Sequence, residues 1–175
     1  RAKMLWKIRS MGVASLISRP EMFDRWCHQL ETLELPPVHS LYVLDNTNDD
    51  AFHAKLVDRL SRMKGWESIT LVRDEVGSDE VREIDELHQD RLSNIARLTN
   101  KLWKCVKEDI LLSIDDDVFA ESPDAVRRLH YHLRPQGAAV AGAAYQSKKV
   151  SDCLVATYGK ESYGSPITAT HDKVS

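Results

Sequence analysis

The chain contains the run Ile110-Leu111-Leu112-Ser113-Ile114-Asp115-Asp116-Asp117, in which five mostly apolar residues stop at three consecutive carboxylates. The apolar part is typical of a buried strand. Three adjacent anions repel one another and are costly to desolvate, so they favour a cleft where a hard divalent cation and a phosphate-bearing ligand share the charge. The alternative is a solvated acidic turn that caps the next helix, because Asp is common at turns and helix starts.

Strand-like and helix-like segments alternate along the chain, which predicts an α/β fold with a mostly parallel central sheet flanked by helices. The acidic segment from Asp74 to Asp90 reads as a surface loop or a marginal helix, and no confident element is predicted in the last thirty residues. Strands are predicted at 12–17, 40–44, 68–72, 110–114 and 137–145, with 3–8 as a partner or lead-in, and helices from Pro20, around 52–60, at 91–107 and at 122–133.

Composition and charge are those of a globular protein, with 175 residues, 42% hydrophobic content and 29% charged content. These values predict a single domain over 1–175, and the net charge of −3 argues against direct nucleic-acid binding. Cys27, Cys105 and Cys153 show no metal-ligand spacing, so we expect reduced thiols and a cytoplasmic protein. No apolar run reaches about 18 residues, so no membrane span is predicted. The chain begins at Arg1 rather than at a starter Met, which is compatible with loss of an upstream segment.

Polar clusters follow the predicted strands, and ligands of open α/β sheets bind outside the carboxyl ends of the strands. Neither GxGxxG nor GxxxxGK[ST] is present, so the usual glycine-rich phosphate loops are missing. A metal ion therefore has to neutralise more of the phosphate charge. The clusters are Ser18-Arg19, Asp45-Asn46, Arg73-Asp74 and the Asp115 to Asp117 triplet.

Four of these segments, in order, resemble the GT-A fold glycosyltransferases of family 2. Ser18-Arg19-Pro20-Glu21 is similar to the Asn-Arg-Pro-Glu segment after that family's first strand, and residues 43–50 resemble its V-D-D-G-S-x-D pattern. Asn100 lies fifteen residues before Asp115, as in the family, and Ile114 to Asp117 looks like its DxD motif. The resemblance covers residues 11–145 as a nucleotide-sugar-binding core and leaves 146–175 as a short acceptor-side or tail segment.

The resemblance implies a Mn²⁺ or Mg²⁺ ion near Asp115 and Asp117, with Asp117 as the direct ligand. Asp116 would meet the ribose or remain structural. Asp45 would recognise the base or ribose, and Asn46 holds the second acidic position of that motif. The remaining residues that the resemblance assigns to nucleotide-sugar binding are Ser18, Arg19, Arg97 and Asn100.

Two of these residues have alternative roles, and several positions of this chain differ from the family's motifs. Arg97 could instead be an exposed surface cation, and Asn100 could make a helix-to-loop hydrogen bond. Ser18 replaces the family's Asn, Asn46 an Asp and Thr47 a Gly, which predicts a differently shaped base pocket. No segment after Gly142 matches the family's acidic motif, so His171-Asp172 is the candidate for a late metal ligand and a catalytic base, or is only a solvated tail pair.

The predicted function is a metal-dependent glycosyltransferase that moves a sugar from a UDP- or GDP-sugar to an unidentified hydroxyl acceptor. One alternative is a sugar-phosphate nucleotidyltransferase, against which the missing glycine-rich loop counts. The other is a non-catalytic module that binds nucleotide sugars.

Overall fold

A computed structural model of the chain describes residues 9–74, 88–133, 145–147 and 150–154. The chain divides into two compact units, Arg1–Phe119 and Ala120–Ser175, and each is described by itself. The single domain over 1–175 stays a prediction. The predicted lead-in strand at 3–8 and most of the acidic segment at 74–90 lie outside the described residues.

The described part of the first unit contains a four-stranded, all-parallel sheet with the strand order β3-β2-β1-β4. This confirms the α/β fold with a parallel central sheet flanked by helices. The strands are β1 Met11–Ile17, β2 His39–Asp45, β3 Ile69–Arg73 and β4 Ile110–Ser113.

The core lies along the two central strands, β1 and β2. Val13, Ile17, Leu41 and Leu44 are fully buried. Strands that are covered on both faces read as nearly continuous apolar runs rather than as alternating patterns, which is how these two segments read in the sequence.

Helices follow the strands at nearly the predicted positions. A short 3-10 turn at Pro20–Met22 leads into α1, and α2 begins after Asp49, whose side chain accepts a hydrogen bond of 3.0 Å from the backbone N–H of Phe52. This is a helix N-cap. The helices of this unit are α1 Phe23–Thr32, α2 Asp50–Arg62 and α3 His88–Trp103.

The predicted end of α3 at Lys107 is wrong, because the helix stops at Trp103. The backbone N–H groups of Cys105 and Val106 donate to carbonyls three residues earlier, over 3.0 and 3.1 Å, which tightens the last turn and redirects the chain toward β4. Val106 then packs so closely on Gly12 that a Cβ atom at that position would lie 2.5 Å from Cγ1 of Val106. Only glycine fits this approach without a shift of its neighbours.

The second unit contains α4 Ala125–Leu133 and an antiparallel pair formed by β5 Tyr145–Ser147 and β6 Val150–Leu154. Residues 137–144 of the predicted fifth strand lie outside the described residues, and β5 begins at Tyr145. The strand β6 falls in the segment for which no element was predicted, because its five residues carry too little apolar pattern on their own. None of the described helices is both long and apolar enough to span a membrane.

Candidate functional site

The candidate site lies at the carboxyl edge of the sheet, between β1 and β4. The chain adds β2 and β3 on one side of β1 and then places β4 on the other side. The strand order therefore reverses at β1, and such a switch point opens a crevice for ligands in α/β sheets. Ser18 and Arg19 follow β1 at this point, and the Asp115 to Asp117 triplet follows β4.

Asp116 joins the ends of these two strands. Its Oδ2 atom accepts hydrogen bonds from the backbone N–H groups of Ser18 at 2.7 Å and Arg19 at 2.8 Å. Its Oδ1 atom accepts one from Nη1 of Arg19 at 3.1 Å, and the residue is only 3% exposed. Asp116 thus holds the backbone after β1, while its role in nucleotide-sugar binding stays a prediction.

Arg19 contacts two of the three carboxylates. Besides its bond to Asp116, its guanidinium forms an ion pair with Asp117 through Nη1 and Oδ2. The side chains of Arg19 and Asp117 are 34% and 40% exposed, so this pair faces solvent at the mouth of the crevice. Ion pairs with this much exposure are weak and exchange partners readily.

Asp115 has a raised pKa. The largest cause is partial desolvation of its carboxyl group, and the charges of Asp117 and Asp116 add to it, whereas Arg19 acts in the opposite direction. Accumulated negative charge at this position favours a cation.

A buried polar network fixes the backbone on both sides of the triplet. Ser15 Oγ donates to the carbonyl of Ile114 at 2.6 Å and accepts from the indole N–H of Trp26 at 3.0 Å. On the other side, the side-chain amide of Gln29 donates to the carbonyl of Val118 at 2.9 Å. Residues of α1 therefore support the site, which sequence patterns did not reveal because these positions read as ordinary helix-face residues.

Asp45, at the end of β2, is buried with all of its side chain out of contact with solvent. Its Oδ1 atom accepts from the backbone N–H of Thr47 at 2.9 Å and from the Thr47 hydroxyl at 2.7 Å. Its Oδ2 atom lies 2.7 Å from Nδ1 of His53. Recognition of a base or ribose by Asp45 itself stays a prediction, and His53 was missed because it lies eight residues further on without ligand spacing.

Asn46 is also buried, with 7% exposure. Its side-chain oxygen Oδ1 has no hydrogen-bond partner among the residues that the structure describes. A buried acceptor without a partner costs about 1–3 kcal/mol, so a donor that reached Oδ1 of Asn46 would remove this cost.

A third cluster lies at the end of β3. The buried carboxylate of Asp74 accepts from the guanidinium of Arg97 at 3.1 and 3.2 Å and from the ammonium of Lys101 at 2.7 Å. The side chains of Arg97 and Lys101 each remain 45% exposed, and these two cations share the carboxylate of Asp74. Arg97 is thus an exposed cation that is paired with Asp74, and Asn100 is an exposed residue of α3. Their roles in nucleotide-sugar binding stay predictions. His171 and Asp172 lie outside the described residues.

Binding of a divalent cation by the triplet, jointly with a ligand, stays a prediction. In the described ranges, no group of three or more His, Cys, Asp or Glu residues could hold a metal by itself. Mg²⁺ in phosphate-handling sites, however, is usually held by one or two carboxylates together with substrate phosphates. Asp115 and Asp117 provide such a carboxylate pair, and they would hold Mn²⁺ or Mg²⁺.

The chain has a Rossmann-like α/β fold, with a parallel central sheet flanked by helices. A similar solved structure is S. aureus TarS 1-349, with a TM-score of 0.50 and 9% sequence identity, over 79% of this chain and 39% of that one. TarS is a glycosyltransferase, and at this identity the likeness shows the fold. No protein-family model and no curated protein matches the sequence. The chain thus spans about two fifths of the TarS structure that it matches.

Replacing Asp115 with asparagine is expected to raise the free energy of unfolding at pH 7. A carboxyl group whose pKa is raised by folding stabilises the protein while it is protonated, and this contribution is lost as the pH rises through the folded-state pKa. The ionised group is therefore a cost at pH 7, which the neutral amide removes. Urea unfolding at pH 7 and pH 4 would test this, and the difference between the variant and the wild type should shrink at pH 4. A variant that is less stable than the wild type at pH 7 would contradict it.

Proposed function

We propose that this protein is a metal-dependent glycosyltransferase, which moves a sugar from a UDP- or GDP-sugar to a hydroxyl acceptor. The observation that carries the proposal is the position of the acidic triplet at the switch point of a parallel sheet with the order β3-β2-β1-β4. Asp115 and Asp117 follow β4 there, beside the cationic Arg19.

The charges at this edge suit a nucleoside diphosphate. Asp115 and Asp117 would hold the cation, and the cation would compensate both the carboxylates and the diphosphate. Arg19 already contacts Asp116 and Asp117, and the diphosphate would be a further anionic partner, since guanidinium groups bind carboxylates and phosphates in the same manner. The hydrogen bonds from the backbone N–H groups of Ser18 and Arg19 to Asp116 would hold Arg19 in place beside the triplet.

In the proposed reaction, the bond between the anomeric carbon and the diphosphate oxygen breaks, and its electron pair stays with the leaving nucleoside diphosphate. The acceptor oxygen forms the new bond to the anomeric carbon, and its proton passes to a base. The bound metal ion would stabilise the charge on the leaving group. For the base, Asp172 stays the candidate from the sequence.

Replacing Asp117 with asparagine is expected to weaken metal-dependent nucleotide binding at least tenfold, because one of two anionic cation ligands is lost. Calorimetric titration of UDP and GDP, each with and without Mn²⁺, would measure this on the wild type and on the variant. The matched control is Asp58→Asn on α2, which removes an exposed carboxylate that forms an ion pair with Arg62 and should leave binding unchanged.

Consumption of the nucleotide sugar decides between the proposal and its alternatives. Release of UDP or GDP from the corresponding sugar nucleotide, with transfer to an acceptor, supports a transferase. Metal-dependent binding without consumption would support a non-catalytic binding module, and consumption of a nucleoside triphosphate with a sugar phosphate would support a nucleotidyltransferase. Absence of binding to either nucleotide would overturn the proposal.

A further inference from the structure

The carboxylate of Asp45 is saturated by the protein. Three donors occupy its two oxygens, namely the backbone N–H and the hydroxyl of Thr47 and the Nδ1 atom of His53. Its side chain has no exposed area, so no ligand reaches it unless this network opens. A carboxylate whose oxygens are all hydrogen-bonded within the protein can affect a ligand only by positioning the residues that donate to it.

Of the two residues that contact the carboxylate of Asp45, His53 is the one with an imidazole ring, and this ring is partly exposed to solvent. Its side chain is 25% exposed, and its backbone N–H donates to the carbonyl of Asp49 at 2.9 Å in the first turn of α2. An ionised carboxylate only accepts hydrogen bonds, so Asp45 assigns the proton to Nδ1. The other ring nitrogen, Nε2, is not used by this contact and is the atom of the ring that can meet a ligand.

The position of Asp45 and His53 suits the nucleoside end of a nucleoside diphosphate whose phosphates lie at the acidic triplet. The strand β2 is separated from β4 by β1, and neighbouring strands lie about 4.8 Å apart, so the end of β2 is roughly 10 Å from the triplet along the edge of the sheet. A diphosphate that is held at Asp115 and Asp117 and lies along this edge would bring its nucleoside to the end of β2. The helix α2 begins five residues after that strand, at Asp50.

We infer that His53 is the residue that contacts the nucleoside of the donor, and that Asp45 is a positioning residue that acts through it. Nε2 of His53 forms a hydrogen bond with a polar group of the base or with a hydroxyl group of the ribose. This inference rests on the proposed function, and it places the contact on a residue outside the sequence motif.

The test is calorimetry in the presence of Mn²⁺ with three ligands, namely UDP, GDP and inorganic pyrophosphate. For the nucleotide that the wild type binds more tightly, His53→Ala is expected to weaken binding about tenfold, while the affinity for pyrophosphate stays unchanged. The matched control is His28→Ala, which removes an exposed histidine of α1 and should change neither affinity.

A second variant separates positioning from a merely structural role. Asp45→Asn offers His53 an amide in place of a pure acceptor, so the ring loses its fixed tautomer, and nucleotide affinity is expected to fall by a similar factor. The double variant should be no weaker than His53→Ala alone, because both changes remove the same contact. Because the His53 side chain is 25% exposed, water can enter the space that its ring leaves and pair with Oδ2 of Asp45. The single variant therefore tests the inference even where the Asp45 variant does not fold.

The outcomes distinguish the two proposals. Failure of the wild type to bind either nucleotide would overturn both the proposed function and this inference. If the wild type binds a nucleotide and His53→Ala leaves its affinity unchanged, or lowers nucleotide and pyrophosphate affinity by the same factor, the inference alone is overturned. A loss restricted to the nucleotide supports it.

Discussion

Replacing Asp116 with alanine is expected to lower the free energy of unfolding by about 3 kcal/mol, because the change leaves several donors without their acceptor. The backbone N–H groups of Ser18 and Arg19 both donate to Oδ2 of this carboxylate, over 2.7 and 2.8 Å. The carboxylate is also nearly inaccessible to solvent, so water does not simply replace it. Urea unfolding followed by tryptophan fluorescence would measure the loss.

The matched control for Asp116 is its neighbour Asp117. Asp117→Asn removes the same kind of charge from an exposed ion pair with Arg19, and it should cost less than about 1 kcal/mol. The effects on nucleotide binding should have the opposite order, with the larger loss for Asp117→Asn. Asp117 would act on the cation directly, whereas Asp116 would act through the backbone after β1. Equal destabilisation by the two variants would show that Asp116 is not the link between the strand ends.

Replacing Trp26 with alanine is expected to cost about 3–5 kcal/mol, which is the usual range for emptying a buried tryptophan site. Trp26 is fully buried, and its ring lies 6.0 Å from that of Phe23. The indole N–H also orients Ser15, which holds the carbonyl of Ile114 directly before the triplet. The loss should therefore be accompanied by weaker nucleotide binding, measured by the same calorimetry.

Two further variants keep this prediction testable. Trp26→Phe retains most of the ring and removes only the N–H donor, so it should cost about 1–2 kcal/mol and stay folded. Trp66→Ala removes a tryptophan that is partly exposed and packs edge-on against His39 at the start of β2, at 4.7 Å between ring centroids. That variant should cost less than Trp26→Ala and leave binding unchanged. A smaller cost for Trp26→Ala than for Trp66→Ala would contradict the prediction.

The four strands of the parallel sheet were predictable from the sequence to within one or two residues. The reason is that β1 and β2 are apolar almost throughout and that each ends in polar side chains. The end of α3 was not predictable to the same degree. Its apolar spacing continues to Val106, and the periodicity cannot show that Val106 leaves the helix to pack on Gly12. The short strand β6 was missed for a related reason, since its regular structure depends on pairing with β5.

In the candidate site, the sequence indicated that carboxylates follow the ends of the strands. It did not indicate which of them are buried and hydrogen-bonded and which are exposed. Asp45 and Asp116 look as available as Asp115 and Asp117 in the sequence, and both are buried and hydrogen-bonded in the structure. His53 showed no signal, because its partner lies eight residues earlier and a lone histidine at a helix start has many ordinary explanations.

What the sequence by itself determined is the order of strands and helices and the placement of acidic residues after the strands. These follow from local patterns, since a covered strand must be apolar and the chain leaves the sheet through polar turns. Only the tertiary structure decided three contacts. Asp116 accepts hydrogen bonds from the backbone after β1, Arg19 forms an ion pair with Asp117, and Asp45 contacts His53. Burial and hydrogen bonding of a carboxylate depend on donors brought from distant parts of the chain, and parallel strands bring those donors together only when the sheet has formed.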